Sequence, residues 1–315
     1  MAQIGKDTEL IADMRTQHLW FGFFCTVGLA LVGAGCSLPS LLTPQSASTT
    51  STAAQPSGPQ PAVFDGLSPQ DAANKIQLTA GNALIMKQGF GGVGNKIADL
   101  FNVGGPEGER DIVISAFAPA NTASLQWKLT TTSDKTTKQT TGNIDSIDLF
   151  HSHTLYLPGY WREGDQKALG TSALWLSQDV YEDLVKLHNS SIDFGLFAPQ
   201  LVDSLPKDVD LQAAIKRMKD AAVAAGNKVD VYYMVADPDQ TTKKLIVNGK
   251  EVTVQVITAR NWFGEIVVLA NKQNPLVLQV TLNPLALAAV DSMSGSSYLS
   301  HAMGYDITEI KDIQQ

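Results

Sequence analysis

The sequence of 315 residues has only two cysteines, Cys25 and Cys36, too few for a disulfide framework. Charged residues are also scarce, at 17%, and the net charge of −8 comes without a basic stripe, which argues against nucleic acid as the main partner. The hydrophobic content of 44% is that of a folded protein with a real core. The length favours one or two domains.

The sequence has no apolar run long enough to cross a membrane comfortably, because a spanning helix needs about 20 apolar residues. The longest such run is LWFGFFCTVGLALV, over residues 19–32. Small residues follow it, and then Cys36. A basic residue, a short apolar core, small residues and a processing point predict a secretory signal over residues 1–35. An ordinary signal peptide, or a poor transmembrane helix with a chance cysteine, is the alternative.

The end of this run, LVGAGC, resembles the lipobox of bacterial lipoproteins. In that family the cysteine is acylated on its thiol and becomes the first residue of the mature chain. The resemblance implies that Cys36 carries a palmitate-type anchor in a lipid bilayer. Gly33 departs from the leucine that is usual three positions before the cysteine. Ser37 stands where lipoproteins retained in the inner membrane typically carry Asp, which implies the outer membrane, facing the periplasm.

Three further boundaries follow from charge and composition. Residues 1–13 contain acidic side chains that suit a signal poorly, so Met14, which opens the basic stretch MRTQH, is expected to be the true start. Residues 36–61 form an uncharged segment rich in Ser, Thr and Pro, which predicts a flexible tether. A globular body is expected over 62–315, with a division into two subdomains near residue 165.

The body is predicted to be α+β, predominantly antiparallel β, with hairpins in the C-terminal third and two to four helices. Helices are predicted from Ser68 to Gly81, over 95–101, from Ser177 to Leu187 and over 208–225. Asn248-Gly249 is the strongest hairpin signal, and NKQNP over 271–275 is a second. Strands are predicted over 82–86, 111–117, 125–131, 144–157, 229–235, 244–247, 251–257, 264–270, 276–282 and 305–310.

His151 and His153 are the most specific candidates for a metal site. Residues i and i+2 of a strand share a face, so both imidazoles could reach one ion, with Asp148 upstream as a third ligand. The string FHSHT resembles the opening motif of metal-dependent phosphoesterases. Other carboxylates available as a further ligand are Asp145, Glu163 and Asp165. Histidines that only pack or face solvent are the favoured alternative, so no metal and no catalytic residue is expected.

The segment LYLPGYWREG over 155–164 brings together the aromatic residues Tyr156, Tyr160 and Trp161. Aromatics held on a loop can stack on sugars or peptides, and Arg162 could orient such a ligand. The alternative is a loop folded back so that its rings cap the core.

Two further motifs are interpreted as chance matches. Residues 89–94 satisfy G-x-G-x-x-G, but Lys87 and Gln88 break the apolar strand that a dinucleotide site requires. Residues 204–207 satisfy S-x-x-K, but Pro206 prevents the helical turn that would place the serine beside the lysine. No cofactor is expected.

Three functions remain open. The first is a non-catalytic envelope lipoprotein whose body contacts other proteins or the cell wall; the others are a metal-dependent hydrolase and a glycan- or peptide-binding module. The first is favoured because no complete catalytic set can be assembled. The stretches GTSALWLSQDVYEDL and NPLVLQVTL resemble pieces of uncharacterised bacterial envelope proteins, a resemblance that implies no function.

Overall fold

The structure is a computed structural model of the chain, which divides into two units, Met1–Ala54 and Gln55–Gln315. It describes only part of the second unit: residues 60–89, 108–133, 136–195, 216, 220, 230, 233–239, 241–284, 286–287 and 302–314. The signal, Cys36, the tether up to residue 59, residues 90–94 of the glycine motif, the 95–101 helix, the S-x-x-K match and nearly all of the 208–225 helix lie outside these ranges.

The described residues include two α-helices, one short 3₁₀ helix (Pro158–Tyr160) and twelve strands. The helices are α1 (Pro69–Lys75) and α2 (Gln178–Lys186). The strands are β1 (Ala83–Gln88), β2 (Gly108–Ala118), β3 (Thr122–Ser133), β4 (Thr136–Asp148), β5 (Gly164–Lys167), β6 (Asn189–Ser191), β7 (Tyr233–Ala236), β8 (Thr241–Val247), β9 (Lys250–Arg260), β10 (Gly264–Leu269), β11 (Val277–Leu282) and β12 (Tyr305–Lys311). The prediction of an α+β body with predominantly antiparallel strands is confirmed. In the described ranges no helix is long and apolar enough to cross a bilayer.

The last five strands close into a small barrel. Each of β8 to β11 pairs antiparallel with the strand that follows it, and β12 returns to pair with β8. Five strands in such a succession leave the first and last pointing the same way, so the closing pair, Ile310 with Val247, is parallel. Asn248 and Gly249, which join β8 to β9, both have the positive φ angles of a tight two-residue turn.

The other strands extend the barrel into one sheet. β12 also pairs with β1 along its whole length, and β1 to β4 continue antiparallel to the parallel edge strand β5. On the far side, β7 and β6 continue from β9. Buried apolar residues from Ala62 to Ile313 form one contiguous hydrophobic core under these strands.

Helix α1 ends earlier than the sequence predicted, at Lys75 rather than before Gly81. Ile76 turns to an extended conformation, and side chains from the turn after β10 bind the carbonyl groups at the helix end. The Asn271 amide donates to the oxygens of Ala73 and Ile76, both at 3.0 Å. Because another part of the chain donates hydrogen bonds to these carbonyls, the helix ends without a glycine cap.

The predicted strand over 144–157 was wrong in its second half, because β4 ends at Asp148. The Asp148 carboxylate accepts hydrogen bonds from the backbone N–H groups of Phe150 (2.8 Å) and His151 (3.1 Å). An aspartate that binds the backbone two residues ahead closes a turn, which here stops the ladder. The shared strand face expected for His151 and His153 therefore does not exist.

Candidate functional site

His151 and His153 have separate partners in the structure. The Nδ1–H of His151 donates to the Asp179 carboxylate at 2.6 Å, in the first turn of α2. The Nδ1–H of His153 donates instead to the backbone oxygen of Ser191, at 2.9 Å, in β6. His151 and His153 thus fasten the 149–154 turn to α2 and to β6.

Two of the carboxylates proposed as further ligands are engaged elsewhere. Asp148 closes the turn after β4, and Asp165 in β5 accepts from the Asn143 side-chain amide at 2.6 Å. Across the ranges that the structure describes, no three His, Cys, Asp or Glu residues are placed to hold one metal ion.

The aromatic loop is folded back against the core. The Trp161 side chain is only 6% exposed, and its Nε1–H donates to the backbone oxygen of Tyr156. The Tyr156 hydroxyl donates in turn to the backbone oxygen of Tyr160 at 2.7 Å. Arg162 is exposed, and its backbone N–H donates to the side-chain oxygen of Gln166. These hydrogen bonds lie within the loop and hold it as a cap over the core, with its aromatic rings packed inward.

What this cap covers is a buried cation, Arg110, which the sequence analysis did not select. Arg110 is 2% exposed, and its guanidinium carbon lies 4.3 Å from the Trp127 ring centroid and 5.2 Å from that of Trp161. It donates to the side-chain oxygen of Gln88 and to the backbone oxygen of Pro158, while its Nη1 has no partner among the described residues. Burial lowers the pKa of Arg110 to about 10.

A signal for Arg110 was present in the sequence. Arg110 has the same parity as Ile112 and Ile114 in β2, so it faces the core with them. The strand was predicted to start at Asp111, one residue too late to include it. Two indole rings on separate segments can accept a cation between them, and this pairing holds the loop in place.

A cavity of about 250 Å³ lies where α2 packs near β7 and β9. Its apolar lining comes from Leu184 and Val185 of α2 and from Val256 and Ile257 of β9. Its polar lining is a second group of side chains: Gln70, Tyr181, His188, Asp237, Asp239 and Gln255. An apolar cavity with a few converging polar groups is the usual form of a small-ligand site.

Tyr181 is the least exposed polar residue of this lining that has a group without a hydrogen bond to a described residue. Its side chain is 7% exposed, and its hydroxyl has no hydrogen-bond partner among the described residues. Burial raises the pKa of Tyr181 to about 12, so the hydroxyl keeps its proton at neutral pH. His188 has a left-handed φ of 57°, and its backbone oxygen accepts from the N–H of Ala236 at 2.9 Å. That bond fixes the end of α2 beside β7.

In comparisons with known proteins, no protein family, curated protein or solved structure matches this chain. Its function is therefore inferred from its own residues. No sequence motif pointed to the cavity, because its lining is drawn from α1, α2, β7 and β9, which are far apart in the chain.

Proposed function

We propose that this protein is a lipoprotein of the bacterial envelope that binds a partner through its globular body. In this proposal Cys36 is acylated and anchors the chain in the outer membrane, facing the periplasm. Residues 37–61 are the tether, and the partner of the body is an envelope protein or the cell wall. The body is proposed to act by binding rather than by catalysis.

The proposal rests on the contacts that Pro61 and Ala62 make where the chain enters the globular body. Pro61 is exposed and forms an isolated β-bridge with Gln314, and the N–H of Ala62 donates to the oxygen of Ile313 at 3.0 Å. Pro61, the residue at which the predicted tether ends, thus lies at the surface of the body. A flexible tether of this length has a mean span of about 25–30 Å. That span suits a body held near a membrane and free to turn toward a partner.

Two contacts support binding over metal-dependent hydrolysis. His151 is held by Asp179 and His153 by Ser191, in two different elements, and the described residues place no three His, Cys, Asp or Glu side chains around one ion. The cavity beside α2, in contrast, keeps polar groups unused, Tyr181 among them. Unused polar groups in an apolar cavity favour a bound ligand.

The anchor is tested by expressing the full chain in bacteria with an alkyne analogue of palmitate. The wild type is expected to label and to fractionate with the outer membrane. Cys36→Ser is expected to accumulate as unlabelled precursor, because the acceptor thiol is gone. Cys25→Ser, which removes the only other cysteine, is the matched control and should label like the wild type. Unchanged labelling of Cys36→Ser would refute the anchor.

A further inference from the structure

We propose that the cavity beside α2 binds an alkylammonium group, meaning a primary amine carried on an aliphatic stem. Such a group occurs at the end of a lysine side chain and in free aliphatic amines. The inference rests on the binding role proposed for the body, and it does not depend on the anchor at Cys36.

The apolar part of the lining fits the stem. Leu184 and Val185 on α2, together with Val256 and Ile257 on β9, give the cavity aliphatic walls. A volume of about 250 Å³ is enough for a short aliphatic chain. Burying the stem removes apolar surface from water, which is the source of its affinity.

Each of the two glutamines of the lining offers a side-chain oxygen as an acceptor. The Gln255 side-chain NH₂ donates to the backbone oxygen of Thr241 at 2.7 Å, and that of Gln70 donates to the backbone oxygen of Ala270 at 2.8 Å. A carbonyl oxygen can only accept, so these bonds fix the orientation of both amides. Each glutamine therefore keeps its Oε1 as an acceptor beside the cavity.

The charges of the lining also favour a cation. Asp237 and Asp239 line the cavity, and its described lining contains no lysine or arginine. Asp237 binds Arg260 through Oδ2, whereas Asp239 is exposed and pairs with no described cation. An ammonium group has three donors and no acceptor, so it matches a site that combines carboxylates with unused amide oxygens.

Tyr181 is an observation independent of these acidic residues. It is more than nine-tenths buried, lines the cavity, and its hydroxyl oxygen has no partner among the described residues. A hydroxyl accepts as well as donates, and the neutral form of His188 adds one ring-nitrogen acceptor. The Tyr181 hydroxyl is not among the fully buried unpartnered atoms of the described residues, so it is open to solvent and can bond a ligand in the cavity in place of water.

A larger depression of about 600 Å³ on the outer face of β2, β3 and β4 is a weaker candidate. Two of its polar side chains are already engaged: Lys128 pairs with Asp111 at 2.7 Å, and Asn143 binds Asp165 at 2.6 Å. It therefore offers a ligand fewer unused groups than the cavity beside α2.

The test is a calorimetric titration of the full chain in detergent micelles with three ligands of equal length. Pentylammonium is expected to saturate one site and to bind about tenfold more tightly than pentanol, because hydrogen bonds to a charged donor are stronger. Valerate should bind less tightly than pentanol. Equal affinity for pentylammonium and pentanol, tighter binding of valerate, or no saturable binding would each overturn the inference.

A capped lysine, Nα-acetyl-lysine methylamide, separates the two sources of the amine. Affinity equal to that of pentylammonium indicates that the site takes a lysine side chain of a partner protein. Binding of pentylammonium with no binding of the capped lysine indicates a site for a free amine. Both outcomes support the alkylammonium site and assign its occupant.

Variants connect the binding to the cavity. Asp239→Asn is expected to weaken pentylammonium binding about tenfold, and Tyr181→Phe by a smaller factor, with the unfolding temperature of both variants kept. Asp145→Asn, which neutralises an exposed acid on β4, is the matched control and should bind like the wild type. Equal weakening in Asp145→Asn would show a general charge effect and contradict the site. Palmitate labelling is unaffected by these variants, so failure of the site and failure of the anchor are distinguishable.

Discussion

The indole Nε1–H of Trp175 donates to the side-chain oxygen of Asn274 at 2.9 Å, and both side chains are fully buried. The Asn274 NH₂ group donates in turn to the backbone oxygen of Ile76 at 3.1 Å. One asparagine thus joins the segment before α2 to the end of α1.

Asn274→Ala is expected to lower the free energy of unfolding by about 1–3 kcal/mol, because it leaves the buried Trp175 Nε1–H unsatisfied. Urea denaturation of the variant against the wild type measures the loss. Gln273→Ala, at the exposed neighbouring position, is the control and should change stability by less than about 0.5 kcal/mol. An equal loss in both variants would show that the turn, and not the buried bond, is responsible.

Arg110 gives a prediction about a buried charge. Arg110→Ala is expected to cost about 2–5 kcal/mol, because it empties the space between Trp127 and Trp161. Arg110→Met fills that space without burying a charge, so it should retain about 2 kcal/mol or more relative to the alanine variant. Denaturant unfolding of the two variants measures the difference. Equal losses in the two variants would mean that filling the space contributes nothing and that the loss comes from the missing guanidinium contacts.

Glu182 gives a pH dependence. Its carboxylate binds Lys186 and, at 2.9 Å, Lys272, and these ammonium groups lower its pKa to about 2, from 4.5. The unfolded chain therefore takes up the proton first, so the stabilisation is present above pH 4.5 and is lost as the pH falls toward about 2.

The check is the stability difference between the wild type and Glu182→Gln, measured by chemical unfolding from pH 6 to pH 2. The wild type is expected to be the more stable at pH 6, and the difference should vanish near pH 2. Asp145→Asn serves as the control. A difference between the wild type and Glu182→Gln that did not change with pH would contradict the assignment.

The two histidines give a prediction about metal content. The His151–Asp179 pair is exposed, with the histidine side chain 66% accessible, and such pairs contribute about 0–1 kcal/mol. The double variant His151→Gln/His153→Gln is therefore expected to keep nearly all of the stability, with zinc and manganese at background in both proteins. Elemental analysis of the purified full chain measures this. Near-stoichiometric metal in the wild type, absent from the double variant, would restore the hydrolase hypothesis.

Features set by neighbouring residues could be predicted from the sequence. The hydroxyls of Ser68 and Ser177 cap α1 and α2 by accepting from backbone N–H groups three residues ahead, as the sequence predicted. These signals are local, so they are readable without the fold.

Features set by distant residues could not be predicted. The end of α1 is determined by Asn271, nearly two hundred residues along the chain. Strands β5 and β6 are short and polar, with no alternation to identify them. The alternation of apolar residues over 144–157 predicted one continuous strand, so the turn that Asp148 closes could not be recognised. The cavity polar groups, such as Gln70 and Asp239, come together only in the folded chain.

The most direct test of the proposed lipoprotein is the mass of its mature N-terminal peptide, measured on protein extracted from the outer-membrane fraction. An acylated Cys36 as the first residue, with residues 1–35 absent, is the predicted result. A mature chain that keeps residues 1–35, or that begins elsewhere with an unmodified Cys36 thiol, would contradict it.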